Sequence, residues 1–441
     1  MQKKPTLSNL QFTALFRLLV PSFLIRRVFR LFGPARRRPP IISPRELITG
    51  LVFHFLAGVG TLAEHMTLLT GKNISDSALA QRRGDLDCQI FKTILSESLR
   101  PKAKLPLHSD AFYKGLRLCG ADGTLFSVAN TPQAKKKMKK ARSRRSRAAF
   151  AKVGVVVLVE LGLHNPIAAA IDPNGKSEAY LADQVIIKLP PQSLYLADRY
   201  HGNPKQLIAF RRTHPDGQRE FLIRVRSNIK SRVLEVYPDG SALVEIRSKK
   251  ETLLVREITG RVRRGASKWS DVRLWTSLLD WKKHPASELL ALYARRWEQE
   301  IFYRELKVDM RSAKLVQSHT PVTAAQEIAA LILGYAMLVD QRIKAAKLGE
   351  VGVLRISFAK TLQAVRGLWS FLELCEGVLS AKQVGKVVQR MLRHIAGMVT
   401  PKRRARSCPR KIRQPVSSWP RLMKNTYKSG PPECELSAIT A

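Results

Sequence analysis

The sequence predicts an α/β protein: a mixed sheet flanked by helices, interrupted by a β-rich insertion and preceded by a helical N-terminal region. Short runs of β-branched and small apolar residues separated by polar turns occupy 106–216, a second set of alternating segments fills 217–280, and helical patterns lie on either side. At 441 residues the chain has room for two or three domains.

Residues 1–105 read as helical. LITGLVFHFLAGVGTLAEHMTLL is the most apolar segment there, and Pro39, Pro40 and Pro44 break the chain before it. Arg26, Arg27, Arg30 and Arg36 to Arg38 load its front half with positive charge, so this region is expected to bind DNA, although a dimer contact would have a similar composition. From 106 to 216 the strands LRLCGADGTLFSV, AKVGVVVLVEL and PIAAAIDP are followed by a helix around SEAYLADQVI and a further strand, SLYLAD. The run Lys135 to Arg147 holds no acidic residue; it reads as a loop held by phosphate, with a purely solubilising run as the alternative. Residues 217–280 alternate in FLIRVR, RVLEVY, ALVEIR, TLLVREI and VRLWTS, with a turn at Pro238, Asp239, Gly240 and Ser241. Two helices are expected over 281–345, the first after the start signals Pro285 and Ser287, the second along AAQEIAALILGYAMLVDQRI. The remainder, 346–441, is helical and ends in a basic tail containing PKRRARSCPRKIRQP.

Charge narrows the partner. With 77 Lys+Arg against 34 Asp+Glu the formal charge is +43, and self-repulsion on that scale is tolerable mainly beside a polyanion. Nucleic acid fits. A membrane partner does not, because the apolar runs Leu47 to Leu62 and Val153 to Leu161 are shorter than the ~18 residues needed to span. The N-terminus lacks an apolar region followed by a small-residue cleavage site, so a cytoplasmic, nucleoid-associated location is expected. The five cysteines show no metal-ligand spacing and the nine histidines are dispersed, so both read as structural.

The stretch LYARRWEQEIFYRELKVDM carries the strongest signal. At about 100° per residue, Tyr293, Arg296, Glu300 and Lys307 fall at roughly 0°, 300°, 340° and 320° of one helix, while Leu292, Phe302, Leu306 and Met310 take the opposite side. A carboxylate, two cations and a phenol thus share a narrow stripe that core burial does not require; a solvated face with weak ion pairs is the bland alternative. Tyr, two residues, Arg, three residues, Glu, six residues, Lys resembles the signature of the insertion-sequence-4 family of bacterial DDE transposases.

That resemblance implies an RNase H-like core and three carboxylates. Asp122 follows the apolar LRLCGA and precedes Gly123 and Thr124, where a tight backbone turn would let its side chain emerge. Asp198 ends SLYLAD, with Asp172 and Asp183 as rivals; the family usually has glycine directly after the Asp-Arg pair, whereas here Tyr200 and His201 precede Gly202, a departure that bears on the loop more than on the ligand. Glu300 lies 102 residues after Asp198, a gap the β-rich insertion explains; Glu298, Glu305 and Asp309 are its neighbours. The chemistry implied is a pair of Mg²⁺ ions, with Mn²⁺ able to substitute, held by Asp122, Asp198 and Glu300 for phosphodiester cleavage and strand transfer. The signature also implies DNA contacts by Tyr293, Arg296 and Lys307 over about 21 Å, or about six phosphates, with Trp297 either stacking on a base or packing. Double-stranded DNA, both the element's ends and its target, is the implied partner, and synapsis implies a homodimer. A metal-dependent nuclease without strand transfer and a non-catalytic basic DNA-binding protein are the other readings.

Overall fold

The computed structural model describes residues 7–34, 40–138, 150–264, 269–311, 315–401 and 432–437. Arg36 to Arg38, most of the Lys135–Arg147 run and the basic tail therefore lie outside the described residues. The chain forms two compact units. The first comprises Met1–Pro191 and Trp297–Val399, the second Gln192–Arg296 and Thr400–Ala441.

The first unit opens with α1 (Leu7–Leu19), α2 (Ser22–Phe32), α3 (Pro44–Leu56), α4 (Leu62–Thr70), α5 (Asp76–Gly84) and α6 (Cys88–Ser98). The long apolar segment expected here divides in two, because Thr61 and Glu64 form a capping box that starts α4 afresh; Ser43 and Glu46 do the same for α3, with Pro44 in its first turn. Next come β1 (Phe112–Tyr113), β2 (Leu116–Ser127), α7 (Pro132–Lys137), β3 (Lys152–Glu160), β4 (Asn165–Asp172) and α8 (Glu178–Ile186). β2, β3 and β4 pair antiparallel in that order, with Asp122 opposite Val157, and α8 packs on β3 and β4. The valines of β3 are buried on both faces, as its unbroken apolar run predicts.

The second unit holds β5 (Ser193–Ala197), α9 (Pro204–Thr213), β6 (Arg219–Arg224), β7 (Arg232–Val236), β8 (Ala242–Ser248), β9 (Glu251–Arg264), β10 (Ser270–Thr276) and α10 (Ala286–Tyr293). β5 and β6 run parallel across the α9 crossover, and β6, β10, β9, β8 and β7 continue the sheet antiparallel. The alternating stretch thus shares one sheet with β5. Its turn at 238–241 forms as the residues suggest, with Gly240 at φ 80°.

The first unit resumes at α11 (Trp297–Arg304), followed by α12 (Pro321–Leu348), α13 (Phe358–Leu374) and α14 (Ala381–Ala396); β11 (Pro432–Leu436), in the second unit, adds to β9. α12 is long and apolar enough to cross a membrane by length, but its surface is enclosed by α3, α6, α13 and α14, which makes it the core helix of its unit.

One expectation is corrected. The single helix expected over 292–310 is broken: α10 ends at Tyr293, a 3₁₀ turn covers Ala294–Arg296, α11 follows, and Glu305–Asp309 forms a π turn. The stripe drawn at 100° per residue is therefore interrupted twice, since each turn type winds the backbone differently. Phe302, Leu306 and Met310 are nevertheless buried as predicted.

Candidate active site

Asp122 sits within β2 and not at a turn, because the strand pairs with β3 on through Ser127. Gly123 is needed there for another reason: a Cβ on it would lie 2.2 Å from Glu178 Cδ, so the missing side chain is the space Glu178 fills. Asp122 Oδ1 accepts from the Gly123 amide at 2.8 Å and Glu178 Oε1 accepts from the same amide at 3.2 Å, which brings two carboxylates to one point. Glu178 opens α8, where a helix N-terminus favours negative charge. Sequence reasoning passed over it, and the only local signal was its place behind the N-cap Ser177.

Two side chains of α11 fasten onto the same point of the sheet. Tyr303 Oη donates to the Asp122 carbonyl and accepts from the Val157 amide at 3.1 Å; one turn earlier, Gln299 Nε2 donates to the Val157 carbonyl at 3.1 Å. Burial first, and then the charge of Asp122, pushes the Tyr303 phenol well above its ordinary range, so it remains a donor. In the π turn, Lys307 Nζ donates to Thr124 Oγ1 at 3.0 Å and to the Leu125 carbonyl at 2.9 Å, and lies 5.2 Å from the Phe126 ring centre. Burial, then Arg311 and Lys152, lower its pKa. Glu300 is half-buried on α11, one turn before Tyr303. The helix bearing Glu300 and the strand bearing Asp122 are thus bonded to each other directly. Tyr303 was missed by the sequence reading, although an offset of ten from Tyr293 puts it at about 280°, beside the stripe.

Glu298 and Glu305, the neighbours of Glu300, have other partners. His164, fully buried at φ 54°, bonds Glu305 Oε2 through Nδ1 at 2.8 Å and Glu298 Oε2 through Nε2 at 2.8 Å. Glu305 also accepts from Tyr335 Oη at 2.6 Å and pairs with Arg342 at 3.5 Å. Burial would raise the Glu305 carboxyl, but the charges of His164 and Arg342 hold it down at about 2. A buried imidazole therefore bonds to α11 before Glu300 and to the π turn after it.

The second unit presents Asp198 just past β5. Its Oδ1 accepts from the Tyr200 amide at 2.8 Å and its carbonyl accepts from the His201 amide at 3.2 Å, which folds the loop into a tight turn. Tyr293 Oη donates to the Ala197 carbonyl at 3.0 Å, tying the first signature residue to the strand that delivers Asp198. Burial raises the Tyr293 phenol, Arg296 opposes this, and Asp198 adds to it. The division between the units falls between Arg296 and Trp297. Trp297 is 43% exposed. Of the rivals, Asp172 Oδ2 is taken by the Asn174 and Lys176 amides at 2.9 and 2.8 Å, a turn role, and Asp183 lies within α8.

Carboxylates at 122, 178, 198 and 300 are hard oxygen donors of the kind divalent magnesium prefers. Among the described residues, no group of three His, Cys, Asp or Glu is arranged to hold a metal ion.

The family follows from comparison with known proteins. Residues 115–337 match the family described as Transposase DDE domain. The chain is 24% identical over 414 residues to transposase InsG for insertion sequence element IS4 of Escherichia coli strain K12, covering 89% of each protein. Among solved structures it resembles a piggyBac transposase synaptic complex with hairpin DNA at a TM-score of 0.43 and 10% identity, covering 89% of this chain and 86% of that one.

Proposed function

The chain belongs to the DDE-domain transposases of the insertion-sequence-4 family, and on that premise we propose that it binds the terminal inverted repeats of an insertion sequence and cuts and joins DNA there. Asp122, Asp198 and Glu300 are the residues proposed to hold two Mg²⁺ ions, for which Mn²⁺ could substitute. When bound, such ions supply positive charge to the attacking and leaving oxygens of a phosphodiester. The order β2, β3, β4, α8, β5 is read as an RNase H-like core.

The chain's own side chains do the rest. Tyr303 and Lys307 fix α11 on β2, so Glu300 is presented from a helix that cannot slide along the strand carrying Asp122. Tyr293 fixes the end of β5 from which Asp198 emerges. Arg296 and Lys307 supply cations toward phosphate, Tyr293 a phenol and Trp297 a partly exposed ring, and these four are the proposed contact with the transposon end. Synapsis of two ends calls for a homodimer in the working complex.

The observation that carries this reading is the bonding of α11 and its following π turn to β2 at Asp122, Thr124 and Leu125. A merely basic DNA-binding protein has no use for locking a glutamate helix onto an aspartate strand. The test is incubation of purified protein with end-bearing DNA and Mg²⁺. Wild type should yield joined products, whereas nicks without joining would indicate a nuclease. Asp122→Ala and Glu300→Ala should each lower cleavage by about a thousandfold or more, as loss of several kcal/mol of transition-state stabilisation requires. End binding should stay within a few-fold. Cleavage at the wild-type rate in either variant rejects the assignment.

A further inference from the structure

The loop after Asp198 departs from the family pattern, and it borders an open pocket of about 270 Å³ lined by Arg199, Tyr200, Asn203, Gln206 and Arg226 among others. His201, the second extra residue, turns inward: it is 4% exposed and meets the Tyr195 ring edge-on at 6.2 Å. Tyr200 faces outward at 37% exposure, with its ring 5.6 Å from that of His201. Gly202 then presses the loop against β6, where any Cβ would lie 2.0 Å from the Arg224 carbonyl oxygen. The two additional residues therefore place an aromatic ring beside the second aspartate, on a loop seated tightly against the sheet.

The chemistry of the lining is that of an anion with a flat attachment. Arg199 and Arg226 both line the pocket and form no ion pair with any described residue, so it carries two cations. Asn203 caps α9, so the positive end of that helix also points here. Such a volume is small for a ligand site, enough for one planar group with its phosphate and not for a duplex.

We propose that this pocket takes one unpaired nucleotide of a DNA strand, its base against Tyr200 and its phosphate between Arg199 and Arg226. The proposal rests on the reading that the chain acts on DNA, and it adds a binding subsite next to Asp198.

Fluorescence anisotropy with labelled single-stranded DNA tests it. Loss of one base–aromatic stack should weaken binding about 10-fold in Tyr200→Ala, while Tyr200→Phe, which keeps the ring, should match wild type. Replacing Arg199 and Arg226 with Gln should flatten the log–log salt slope by about 0.7, the value for loss of one phosphate contact on a single strand. Abasic substitution scanned along an end-bearing duplex should reveal one position that costs wild type affinity and costs Tyr200→Ala none. Thermal melts check that each variant is folded. Wild-type affinity in Tyr200→Ala, an unchanged salt slope or the absence of such a position would each overturn the proposal. Protein that binds in this way but never cuts DNA keeps the pocket and loses the catalytic reading. Protein that cuts end DNA while Tyr200→Ala binds like wild type keeps the reading and loses the pocket.

Discussion

Gly123 and Gly202 show how differently two glycines beside candidate acids can be constrained. A methyl at 123 would meet the flexible Glu178 side chain, which can swing aside; a methyl at 202 would meet the Arg224 carbonyl and Val225 Cα at 2.0 and 3.1 Å, and backbone held in a sheet cannot move so cheaply. Gly202→Ala is therefore expected to cost about 1–3 kcal/mol through overpacking, measured as a lowered denaturant midpoint with unchanged slope. Gly123→Ala should cost less in stability yet displace the Glu178 carboxylate from the amide it shares with Asp122. Equal destabilisation by the two substitutions would refute the distinction. At this scale the sequence is informative about identity and poor about cause. Asp122, Gly123 and Thr124 stand out as a motif, but that Gly123 makes room for a residue 55 positions later is visible only once α8 lies over β2.

Elements defined by continuous or alternating apolar runs were legible: β3, α12 and the strands of 217–280 other than β7 lie where burial on one or both faces requires apolar side chains, whereas β7 is a strand with Leu234 and Val236 exposed. The break in the signature helix was not legible, because residues in a 3₁₀ or π turn look the same as residues in an α-helix and what bends the chain is long-range bonding. His164 is the clearest instance. Burial would push its imidazole down, but the charge of Glu305 and the bonds from Glu298 and Glu305 outweigh that, and its folded pKa is raised. The imidazolium's contribution to stability is therefore complete below the ordinary histidine range, ~6.5, and is lost as pH climbs through the raised folded value. Glu305 works in the opposite sense: its contribution is complete above ~4.3 and is lost as pH falls toward about 2. The groups facing this pair are Glu298 on α11 and Tyr335 and Arg342 on α12. His164→Gln should lower stability by about 3–5 kcal/mol near pH 6, as breaking a buried ion pair does, and should abolish the network's share of the decline on the alkaline side. Urea midpoints from pH 5 to 9 measure this; identical slopes above pH 6.5 in both proteins would mean that the histidine is neutral in the fold.

The formal charge of +43 makes itself felt over the whole molecule. Lys382, Lys386, Arg390 and Arg393 run along one exposed face of α14, opposite the buried Val384, Leu392 and Ile395, and form no ion pair among the described residues. Like charges at such spacings oppose helix formation by about 0.2–0.5 kcal/mol per pair, and the sum over a chain this basic disfavours the compact state. Neutral salt should relieve that repulsion, because the screening length shortens to about 8 Å at 0.15 M. Raising NaCl from 50 to 300 mM is therefore expected to raise Tm by a few degrees. Random-sequence duplex DNA at 50 mM NaCl should do more, about 5 °C or more at saturation, because it binds the folded chain and stabilises it by mass action. The two effects must then converge: as salt rises, counterion release weakens the DNA contact, so the increment due to DNA should shrink while the increment due to screening persists. A Tm that falls with NaCl, or a DNA increment that survives unchanged to 300 mM, would show that the positive charge is compensated within the fold and that something other than phosphate neutralisation holds the protein to DNA.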